Sequence, residues 1–307
     1  MTTTVTLNPA IDRTLTITGF KTGAVNRVEK ASDRAGGKGV NVAAALAENG
    51  HAVAALGFIG RANESSFISF FAARGIEDRC LRLPGETRMG IKIFDPFRRE
   101  TTDINFPGLT PAAADLDALR GQIAALSGGW CVLAGSLPPE VPSDVYREFI
   151  AMLKQRGVRT VLDSSGEALR EALRAAPDII KPNVHELEAL LGRALLGEAA
   201  VIAAARELVA GGVGMVAVSR GADGACFVTA SEIVTAVSPV VDVRSTVGAG
   251  DAMVAGIVAA QLRGLPLAEC ARLATAYSLA ALTRSESAPH GRDEVEASLE
   301  RVRIASV

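Results

Sequence analysis

The sequence predicts an α/β fold in which a mostly parallel central sheet carries helices on both faces and a small β-sheet lid stands beside it. The main observation is that short β-branched segments alternate with longer Ala- and Leu-rich segments through most of the chain. Such alternation is typical of parallel strands joined by helices. The predicted strands lie at residues 53–59, 130–134, 160–162, 179–180 and 215–219. The predicted helices lie at residues 40–48, 64–73, 112–126, 143–155, 185–191 and 199–209.

Two segments, residues 12–33 and 86–106, break this alternation and predict the lid. Each contains strand-like stretches without a helix between them, and polar and apolar side chains alternate along both. Strands of this kind can leave one face exposed to water, which indicates a small sheet beside the main one. We expect one α/β domain over residues 1–307, to which these segments contribute the lid. The exposed face of the lid would be the contact surface of a homodimer, because a small sheet rarely stands alone.

Composition and charge exclude several classes of protein. Hydrophobic residues make up 49% of the 307 residues, which is enough for a sizeable core and argues against general disorder. The formal net charge of −2 gives no overall attraction to nucleic acid or to an anionic membrane. We find neither a signal peptide nor a run of about 18 apolar residues, and the four cysteines lack C-x-x-C spacing. We therefore expect a soluble cytoplasmic protein without a nucleic-acid or membrane partner.

The most informative motif is Ser-Thr-Val-Gly-Ala-Gly-Asp at residues 245–251, between a strand-like stretch and a helix. Gly248 and Gly250 would adopt backbone conformations closed to other residues, so that N–H groups converge on one anion at the helix N-terminus. Asp251 beside that anion has the chemistry that phosphoryl transfer to a hydroxyl requires, because its carboxylate can accept the hydroxyl proton. The alternative is that Asp251 is only an acidic residue at a helix start, where the helix dipole favours it.

A second glycine-rich motif, Ala-Gly-Gly-Lys-Gly-Val-Asn-Val-Ala at residues 35–43, opens a predicted helix. Lys38 supplies a point charge among three glycines, and Asn41 offers both a donor and an acceptor, so the motif suits a phosphate or a polyol. It is not a Walker A loop, which needs G-x-x-x-x-G-K-S/T. The alternative is a glycine-rich turn with a solvated lysine.

A third motif, Ile-Lys-Pro-Asn-Val-His-Glu-Leu at residues 180–187, follows a predicted strand. Asn183 and Glu186 have the spacing of a capping box, which is the purely structural interpretation. The functional hypothesis uses the same geometry: both side chains would face the phosphates of a nucleotide and position a hydrated Mg²⁺. This ion commonly keeps several waters and uses only one or two carboxylates.

Three further polar residues are candidates for binding a sugar phosphate. Asp12 follows the first strand, where open α/β sheets bind their ligands, and its carboxylate could accept hydrogen bonds from sugar hydroxyls. It could equally be a turn residue. Arg88 and Arg27 lie in the predicted lid strands, where either guanidinium could bind a phosphate through two hydrogen bonds. A lone surface arginine is more often simply solvated.

The order of these motifs along the chain resembles the PfkB family of ribokinase-like carbohydrate kinases. The resemblance rests on Leu-Asn-Pro-x-x-Asp at residues 7–12, the motif at 35–43, Gly-Ser-Leu-Pro-Pro at 135–139, Lys-Pro-Asn-x-x-Glu-Leu at 181–187 and Thr-Val-Gly-Ala-Gly-Asp at 246–251. It covers essentially the whole chain. Ser-Thr-Val at 245–247, Gly-Glu-Thr-Arg at 85–88 and Thr-Thr-Asp-Ile-Asn-Phe-Pro-Gly at 101–108 are most similar to the branch that contains 1-phosphofructokinases and tagatose-6-phosphate kinases.

The resemblance implies a ribokinase-like fold, a sugar-phosphate kinase that uses ATP and Mg²⁺, and a homodimer joined through the lid. It makes Asp251 the general base and the backbone of Gly248, Ala249 and Gly250 the anion site. The residues that it implies for ATP are Lys181, Asn183, Ser219, Gly221 and Thr246, with Glu186 holding Mg²⁺ through water. Those that it implies for the sugar phosphate are Asp12, Gly37, Lys38, Asn41, Arg88 and Ser136, with Arg27 reaching in from the lid of the same or the other subunit. One departure is Arg220, which replaces the usual leucine between Ser219 and Gly221 and places a charge beside the expected nucleotide site.

Fructose 1-phosphate is the substrate that the resemblance favours, with fructose 1,6-bisphosphate as product. Tagatose 6-phosphate and fructose 6-phosphate are the alternatives within the family. Asp251 would need no unusual environment, because an aspartate with a pKa of about 3.9 is ionised at neutral pH. A sugar-phosphate sensor without activity is a more distant alternative, and the intact Asp251 and Glu186 argue against it. A nicotinamide-dependent dehydrogenase fails because the Gly-x-Gly motif lies near the C-terminus and lacks the third glycine and the following acidic residue.

Overall fold

Two β-sheets organise the chain. The computed structural model describes residues 1–239, 247–283 and 291–306. Within these residues the strands, in chain order, are β1 (Thr2–Thr6), β2 (Ala10–Thr16), β3 (Lys30–Gly36), β4 (Val53–Gly60), β5 (Glu77–Asp78), β6 (Leu81–Leu83), β7 (Met89–Asp95), β8 (Glu100–Asn105), β9 (Trp130–Ala134), β10 (Arg159–Asp163), β11 (Ile179–Ile180), β12 (Met215–Ser219), β13 (Ala225–Val228), β14 (Ile233–Val237) and β15 (Arg303–Ser306). The helices are α1 (Lys38–Glu48), α2 (Ser65–Ala72), α3 (Ala113–Ala124), α4 (Val145–Gln155), α5 (Gly166–Leu173), α6 (Val184–Leu191), α7 (Gly197–Ala210), α8 (Ala249–Leu262), α9 (Leu267–Thr283) and α10 (Arg292–Leu299).

The larger sheet has the strand order β15-β14-β13-β12-β11-β10-β9-β1-β4-β5, and β6 pairs with the carboxyl end of β4. The strands from β12 through β5 are parallel, whereas β13, β14 and β15 are added antiparallel at one edge. All residues of β1, β4 and β9 are buried, as is usual for parallel strands covered on both faces. Since the parallel strands point the same way, their carboxyl ends meet at one edge of the sheet.

The smaller sheet has the order β3-β2-β7-β8. β2 is antiparallel to β3 and parallel to β7, and β7 is antiparallel to β8. Its strands come from the two segments that the sequence predicted to differ from the main sheet. β2 begins two residues before the first predicted segment, at Ala10, and β3 continues beyond it to Gly36.

The register gives the two faces of the smaller sheet different chemistry, because paired residues on neighbouring strands share a face. One face is polar and carries Asp12, Arg34, Lys92, Asp103 and Asn105. The other face is largely apolar and carries Ile11, Leu15, Met89, Ile91, Ile93 and Ile104. Ile104 on this second face is 46% exposed.

Helices cover both faces of the larger sheet and form a buried layer on each side. Side chains of α1, α2, α8, α9 and α10 pack on one face, and those of α3, α4, α5, α6 and α7 pack on the other. α8 is the most enclosed helix, since every residue from Asp251 to Ala260 is buried. Its contact with α9 is close: a Cβ atom at Gly256 would lie 2.6 Å from the Cα of Ala274. The chain therefore places Asp251 in the first turn of a helix that lies inside the core.

The predicted main sheet is confirmed. Each predicted strand and helix is present, and its ends differ from the prediction by at most two residues. The elements that were not predicted are the short strands β5 and β6, the antiparallel edge of β13, β14 and β15, and the helices α5, α9 and α10. In the ranges that the structure describes, no helix is both long enough and apolar enough to cross a membrane.

Candidate active site

Gly248 begins the helix that carries Asp251. It is the N-terminal cap of α8 with φ 80°, a conformation that favours glycine, and its carbonyl oxygen accepts a 2.8 Å hydrogen bond from the N–H of Ala252. Gly250 lies inside α8 and is not in the left-handed region, so the prediction that both glycines adopt unusual conformations is wrong for Gly250. Its missing side chain matters in another way, because a Cβ atom there would lie 3.5 Å from Lys181 Nζ.

Asp251 is buried, and among the described residues one side-chain hydrogen bond holds its carboxylate. Its Oδ2 accepts a 2.8 Å hydrogen bond from Nδ2 of Asn41 on α1. Burial raises the pKa of Asp251 to about 6, with a further contribution from the charge of Asp163, while Asn41, Lys38 and Lys181 act in the opposite direction. The expectation of an ordinary aspartate pKa is therefore wrong. A carboxyl group with a pKa of about 6 is still ionised at pH 7, and it is a stronger proton acceptor than an ordinary aspartate.

Two lysines lie beside the carboxylate of Asp163, which ends β10, and one of them also contacts Glu186. Lys38 Nζ lies 2.9 Å from Asp163 Oδ1 and 3.6 Å from Glu186 Oε1, and Lys181 Nζ lies 3.7 Å from Asp163 Oδ2. The Asp163 side chain is only 1% exposed. Burial alone would lower the pKa of Lys38, but the charges of Asp163 and Glu186 outweigh it and raise that pKa. The lysine is therefore held in its charged form beside Asp251, and the alternative of a solvated lysine is wrong.

The capping box at Asn183 and Glu186 is present. Asn183 Oδ1 accepts from the N–H of Glu186 at 2.8 Å, and Glu186 Oε2 accepts from the N–H of Asn183 at 2.9 Å. This geometry leaves Oε1 of Glu186 facing Lys38. The structural and functional interpretations are therefore compatible, because the cap aims one carboxylate oxygen at the lysine cluster.

The remaining residues expected near a nucleotide lie on the adjacent loop. The N–H of Ser219 donates to Pro182 O at 3.1 Å, which joins this loop to the one that carries Asn183. Gly221 follows in a single 3₁₀ turn, Gly221–Asp223, with φ 60°. Thr246 lies outside the described residues.

Arg220 does not place a free charge between Ser219 and Gly221. Its Nη1 lies 2.7 Å from Oε2 of Glu198 on α7, and its Nη2 donates to Asp223 O at 2.7 Å. The side chain is 10% exposed. The departure from the usual leucine therefore adds an ion pair that ties the loop to α7.

Asp12 lies within β2, so the alternative of a turn residue is wrong. Its carboxylate lies over two glycines of the neighbouring strands: a Cβ atom would be 2.5 Å from Oδ2 at Gly36 and 2.7 Å from Oδ1 at Gly90. Lys92 Nζ lies 4.0 Å from Oδ1. Burial raises the pKa of Asp12, and the charges of Lys92, Arg34 and Arg88 oppose this. The polar face of the smaller sheet thus presents a carboxylate among cations.

Arg34 connects this face electrostatically to the larger sheet. Burial lowers the pKa of its guanidinium, and the carboxylates of Asp12 and Asp251 both oppose this effect. Both carboxylates are thus close enough to act on the same side chain. The polar face of the smaller sheet therefore lies near the first turn of α8.

Arg88 and Ser136 lie where the two sheets meet. Arg88 immediately precedes β7, and its guanidinium donates to Phe106 O at 3.1 Å and to Asn8 O at 3.4 Å. Ser136 is exposed in the loop after β9, and its Oγ accepts from Nδ2 of Asn8 at 3.3 Å. Gly37, with φ 114°, is the N-terminal cap of α1.

Arg27 is the one sugar-phosphate candidate that the described structure leaves apart. It lies in the exposed loop between β2 and β3, so the prediction that it belongs to a strand is wrong. Among the described residues it makes no hydrogen bond or ion pair with the other candidates.

Four residues of the site were missed by sequence reasoning: Asp163, Asn8, Lys92 and Arg34. A usable signal existed for Asp163, since it ends a predicted strand and ligands of open α/β sheets bind at that end. Lys92 could have been found from the alternation of polar residues along its strand. Where the structure describes the chain, no three His, Cys, Asp or Glu side chains group together so as to hold a metal ion.

The carboxyl ends of the parallel strands thus bring together the carboxylate of Asp251, the half-buried Lys38, the buried Lys181 and a helix N-terminus. These are the groups that a phosphotransferase with an alcohol acceptor requires. The chain belongs to the pfkB family of carbohydrate kinases, whose family model matches residues 5–291.

Relatives and solved structures agree with this membership. The chain is 52% identical to the 1-phosphofructokinase of Rhodobacter capsulatus, over 94% of this chain and 91% of that protein. It is 45% identical to the 1-phosphofructokinase of Xanthomonas campestris, over 92% of each chain. A crystal structure of phosphofructokinase-2 from Escherichia coli in complex with fructose-6-phosphate has 29% identity and a TM-score of 0.90, and covers 97% of both chains. The ribokinase-like fold is thereby confirmed.

Proposed function

We propose that this protein is a 1-phosphofructokinase, which transfers the γ-phosphate of ATP to fructose 1-phosphate and forms fructose 1,6-bisphosphate and ADP. The observation that carries the proposal is the buried Asp251, with a pKa of about 6, hydrogen-bonded to Asn41 and placed beside Lys38 and Lys181. The choice of sugar is supported by the relatives at 52% and 45% identity, both called 1-phosphofructokinase.

Fructose 6-phosphate is the second candidate substrate. The Escherichia coli phosphofructokinase-2 solved with that sugar is 29% identical to this chain, well below the named 1-phosphofructokinases. Tagatose 6-phosphate stays an alternative from the sequence resemblance alone.

The sugar phosphate would bind between the polar face of the smaller sheet and the start of α1. Asp12 and Asn41 would bind sugar hydroxyls, and the backbone of Gly37 would contact the sugar beside them. Arg88 and Ser136 would bind the phosphate already present on the sugar, since a guanidinium and a hydroxyl can both donate to it. Arg27 would reach this phosphate from the lid, within its own subunit or across a dimer.

Transfer follows from the position of Asp251. The primary hydroxyl oxygen attacks the γ-phosphorus, a new O–P bond forms, and the bond between the γ-phosphorus and the bridging oxygen of ADP breaks. The hydroxyl proton moves to Asp251. The N–H groups at Gly248, Ala249 and Gly250 would stabilise the negative charge on the transferred group. Lys38, which the resemblance implies for the sugar phosphate, lies between Asp163 and Glu186. From this position its ammonium group would also stabilise the negative charge on the transferred group.

The residues around Asp163 fit a Mg²⁺ ion that accompanies ATP. Within the described chain, Oδ2 of Asp163 is buried without a hydrogen-bond partner, and Oε1 of Glu186 faces the same cluster. Carboxylate oxygens and water are the ligands that Mg²⁺ prefers. Glu186 would hold the ion through water, with Asp163 beside it, and the ion would neutralise the phosphates. Lys181, Asn183, Ser219, Gly221 and Thr246 would bind the nucleotide itself.

The proposal also includes the assembly in which this site works. The smaller sheet would act as a lid of one kinase domain, because closing it over bound ATP would exclude water that competes with the sugar hydroxyl. The apolar face of that sheet, which includes the exposed Ile104, would be the contact between two subunits. The cytoplasm is the expected compartment.

The test is ADP release from MgATP with fructose 1-phosphate, fructose 6-phosphate and tagatose 6-phosphate in parallel. We expect the highest kcat/KM with fructose 1-phosphate. Asp251→Asn should lower kcat by about a hundredfold to ten-thousandfold, because the base is removed. Asp115→Asn is the matched control, since Asp115 occupies the same position in the first turn of α3 outside the site. Preference for a 6-phosphate would overturn the substrate, and activity on none of the three sugars would overturn the reaction.

A further inference from the structure

We propose that Asn8 is a positioning residue that orients the two groups expected to bind the substrate phosphate, Arg88 and Ser136. The inference rests on the proposed function, since it assumes that these two side chains bind the sugar phosphate. Asn8 lies in the turn between β1 and β2 and is 8% exposed. A buried asparagine needs partners for its amide, and the partners found here are those of the phosphate site.

The side chain and backbone of Asn8 join three distant segments. Its Nδ2 donates to Pro107 O at 3.2 Å, to Ser136 Oγ at 3.3 Å and to Leu137 O at 3.5 Å. Its backbone oxygen accepts from Nη2 of Arg88 at 3.4 Å. Asn8 therefore connects the chain leaving β8, the chain leaving β9 and the arginine before β7.

The chemistry of these partners fixes the orientation of the Asn8 amide. The oxygens of Pro107 and Leu137 can only accept, so the NH₂ group, and not the carbonyl oxygen, must face them. Ser136 Oγ then receives a hydrogen bond from Asn8. Its own proton is left to point elsewhere, and the residue is exposed. Asn8 thus makes the hydroxyl a donor toward the site, which suits a phosphate oxygen, because a phosphate dianion only accepts.

Gly108 supports the same arrangement from the other side. It has φ 101°, and a Cβ atom there would overlap Oδ1 of Asn8 and lie 3.3 Å from Cδ of Arg88. Only glycine leaves space for both side chains at once. The Leu-Asn-Pro and Phe-Pro-Gly motifs, which are far apart in the sequence and in contact in the fold, therefore serve one subsite. Gly108→Ala is expected to act like a substitution of Asn8.

The test is the dissociation constant of the sugar phosphate, measured by calorimetry without ATP. For Asn8→Ala we expect binding of fructose 1-phosphate to weaken by about tenfold or more, because hydrogen bonds to a charged group are misaligned. Binding of a non-hydrolysable ATP analogue should change by less than about twofold. Asn8→Asp should weaken fructose 1-phosphate binding more than Asn8→Ala does. The new carboxylate would accept a hydrogen bond from the Ser136 hydroxyl and turn that hydroxyl away from the phosphate.

Two further variants separate positioning from general damage. Asn49→Ala removes another buried asparagine, whose Nδ2 donates to Ala45 O at 2.9 Å near the far end of α1, and should leave sugar-phosphate affinity unchanged. In the Ser136→Ala variant, Asn8→Asp and Asn8→Ala should weaken fructose 1-phosphate binding by similar amounts. The extra effect of Asn8→Asp acts through the Ser136 hydroxyl, which this variant lacks.

The outcomes are distinct. Equal affinity of Asn8→Ala and wild type for fructose 1-phosphate would overturn the positioning role while leaving the proposed function intact. Equal loss of sugar-phosphate and nucleotide binding would show a merely structural role and would also overturn it. If the wild type bound none of fructose 1-phosphate, fructose 6-phosphate and tagatose 6-phosphate, the proposed function would be wrong. This inference would then be wrong as well.

Discussion

Replacing Asp251 by asparagine should stabilise the protein, and the gain should grow with pH. The pKa of this buried carboxyl group is about 6 in the folded protein, against an ordinary value of 3.8. Between these values the folded state keeps a proton that the unfolded chain has lost. Stability of the wild type therefore falls as the pH rises through this window, and the loss is complete above about pH 7. Asparagine has no such titration, and its carbonyl oxygen can still accept the hydrogen bond from Asn41.

The size of the effect follows from the two pKa values. A pKa raised by about two units corresponds to a cost of about 3 kcal/mol when the group is fully ionised. At pH 5 about half of this cost is already present, because the unfolded chain is ionised while the folded protein is mostly protonated. The free energy of unfolding of Asp251→Asn, relative to the wild type, should therefore increase by roughly 1 kcal/mol between pH 5 and pH 8.

Urea unfolding of both proteins at pH 5, 6, 7 and 8 measures this difference directly. The same variant should be catalytically inactive, so that stability and activity change in opposite directions at one position. A difference in the free energy of unfolding that stays constant with pH, or that decreases as the pH rises, would show that the buried charge of Asp251 does not destabilise the fold.

Three further predictions concern the metal, the assembly and the core. Chelation of Mg²⁺ should abolish turnover but leave fructose 1-phosphate affinity intact, and Glu186→Gln should raise the Mg²⁺ concentration for half-maximal activity by roughly tenfold; an unchanged requirement would contradict the role of Glu186. Light scattering should find a wild-type dimer and an Ile104→Lys monomer, whereas a monomeric wild type would argue against the apolar face as an interface. Gly256→Val should lower the free energy of unfolding by about 1–3 kcal/mol in urea, because its side chain would overlap Ala274; no loss would contradict the close packing of α8 on α9.

Local sequence predicts the parallel part of the fold well. β9 is an example, because five successive apolar residues stand between glycines that allow the chain to turn at both ends. The antiparallel edge was missed for a physical reason. β13 and β14 are joined by a short turn without a helix, so the strand–helix alternation that identifies the other strands ends there.

The motifs of the site were found, but its electrostatics were not predictable from them. Asp163 matters because Lys38, 125 residues earlier, folds back to within 2.9 Å of it, and no local pattern records that contact. The pKa of Asp251 likewise depends on how deeply α8 is buried between α1 and α9. Arg27 shows the opposite failure, since the alternating pattern of its segment predicted a strand and the structure places it in a loop.

We propose that this site transfers a phosphoryl group to a sugar hydroxyl with Asp251 as the base. Phosphorus NMR of fructose 1-phosphate, MgATP and the protein tests it most directly, because it identifies the product as well as the rate. We predict a new phosphate-ester signal that appears one for one with ADP, and its absence with Asp251→Asn. Release of inorganic phosphate without a new ester, or transfer by the variant at the wild-type rate, would contradict the claim.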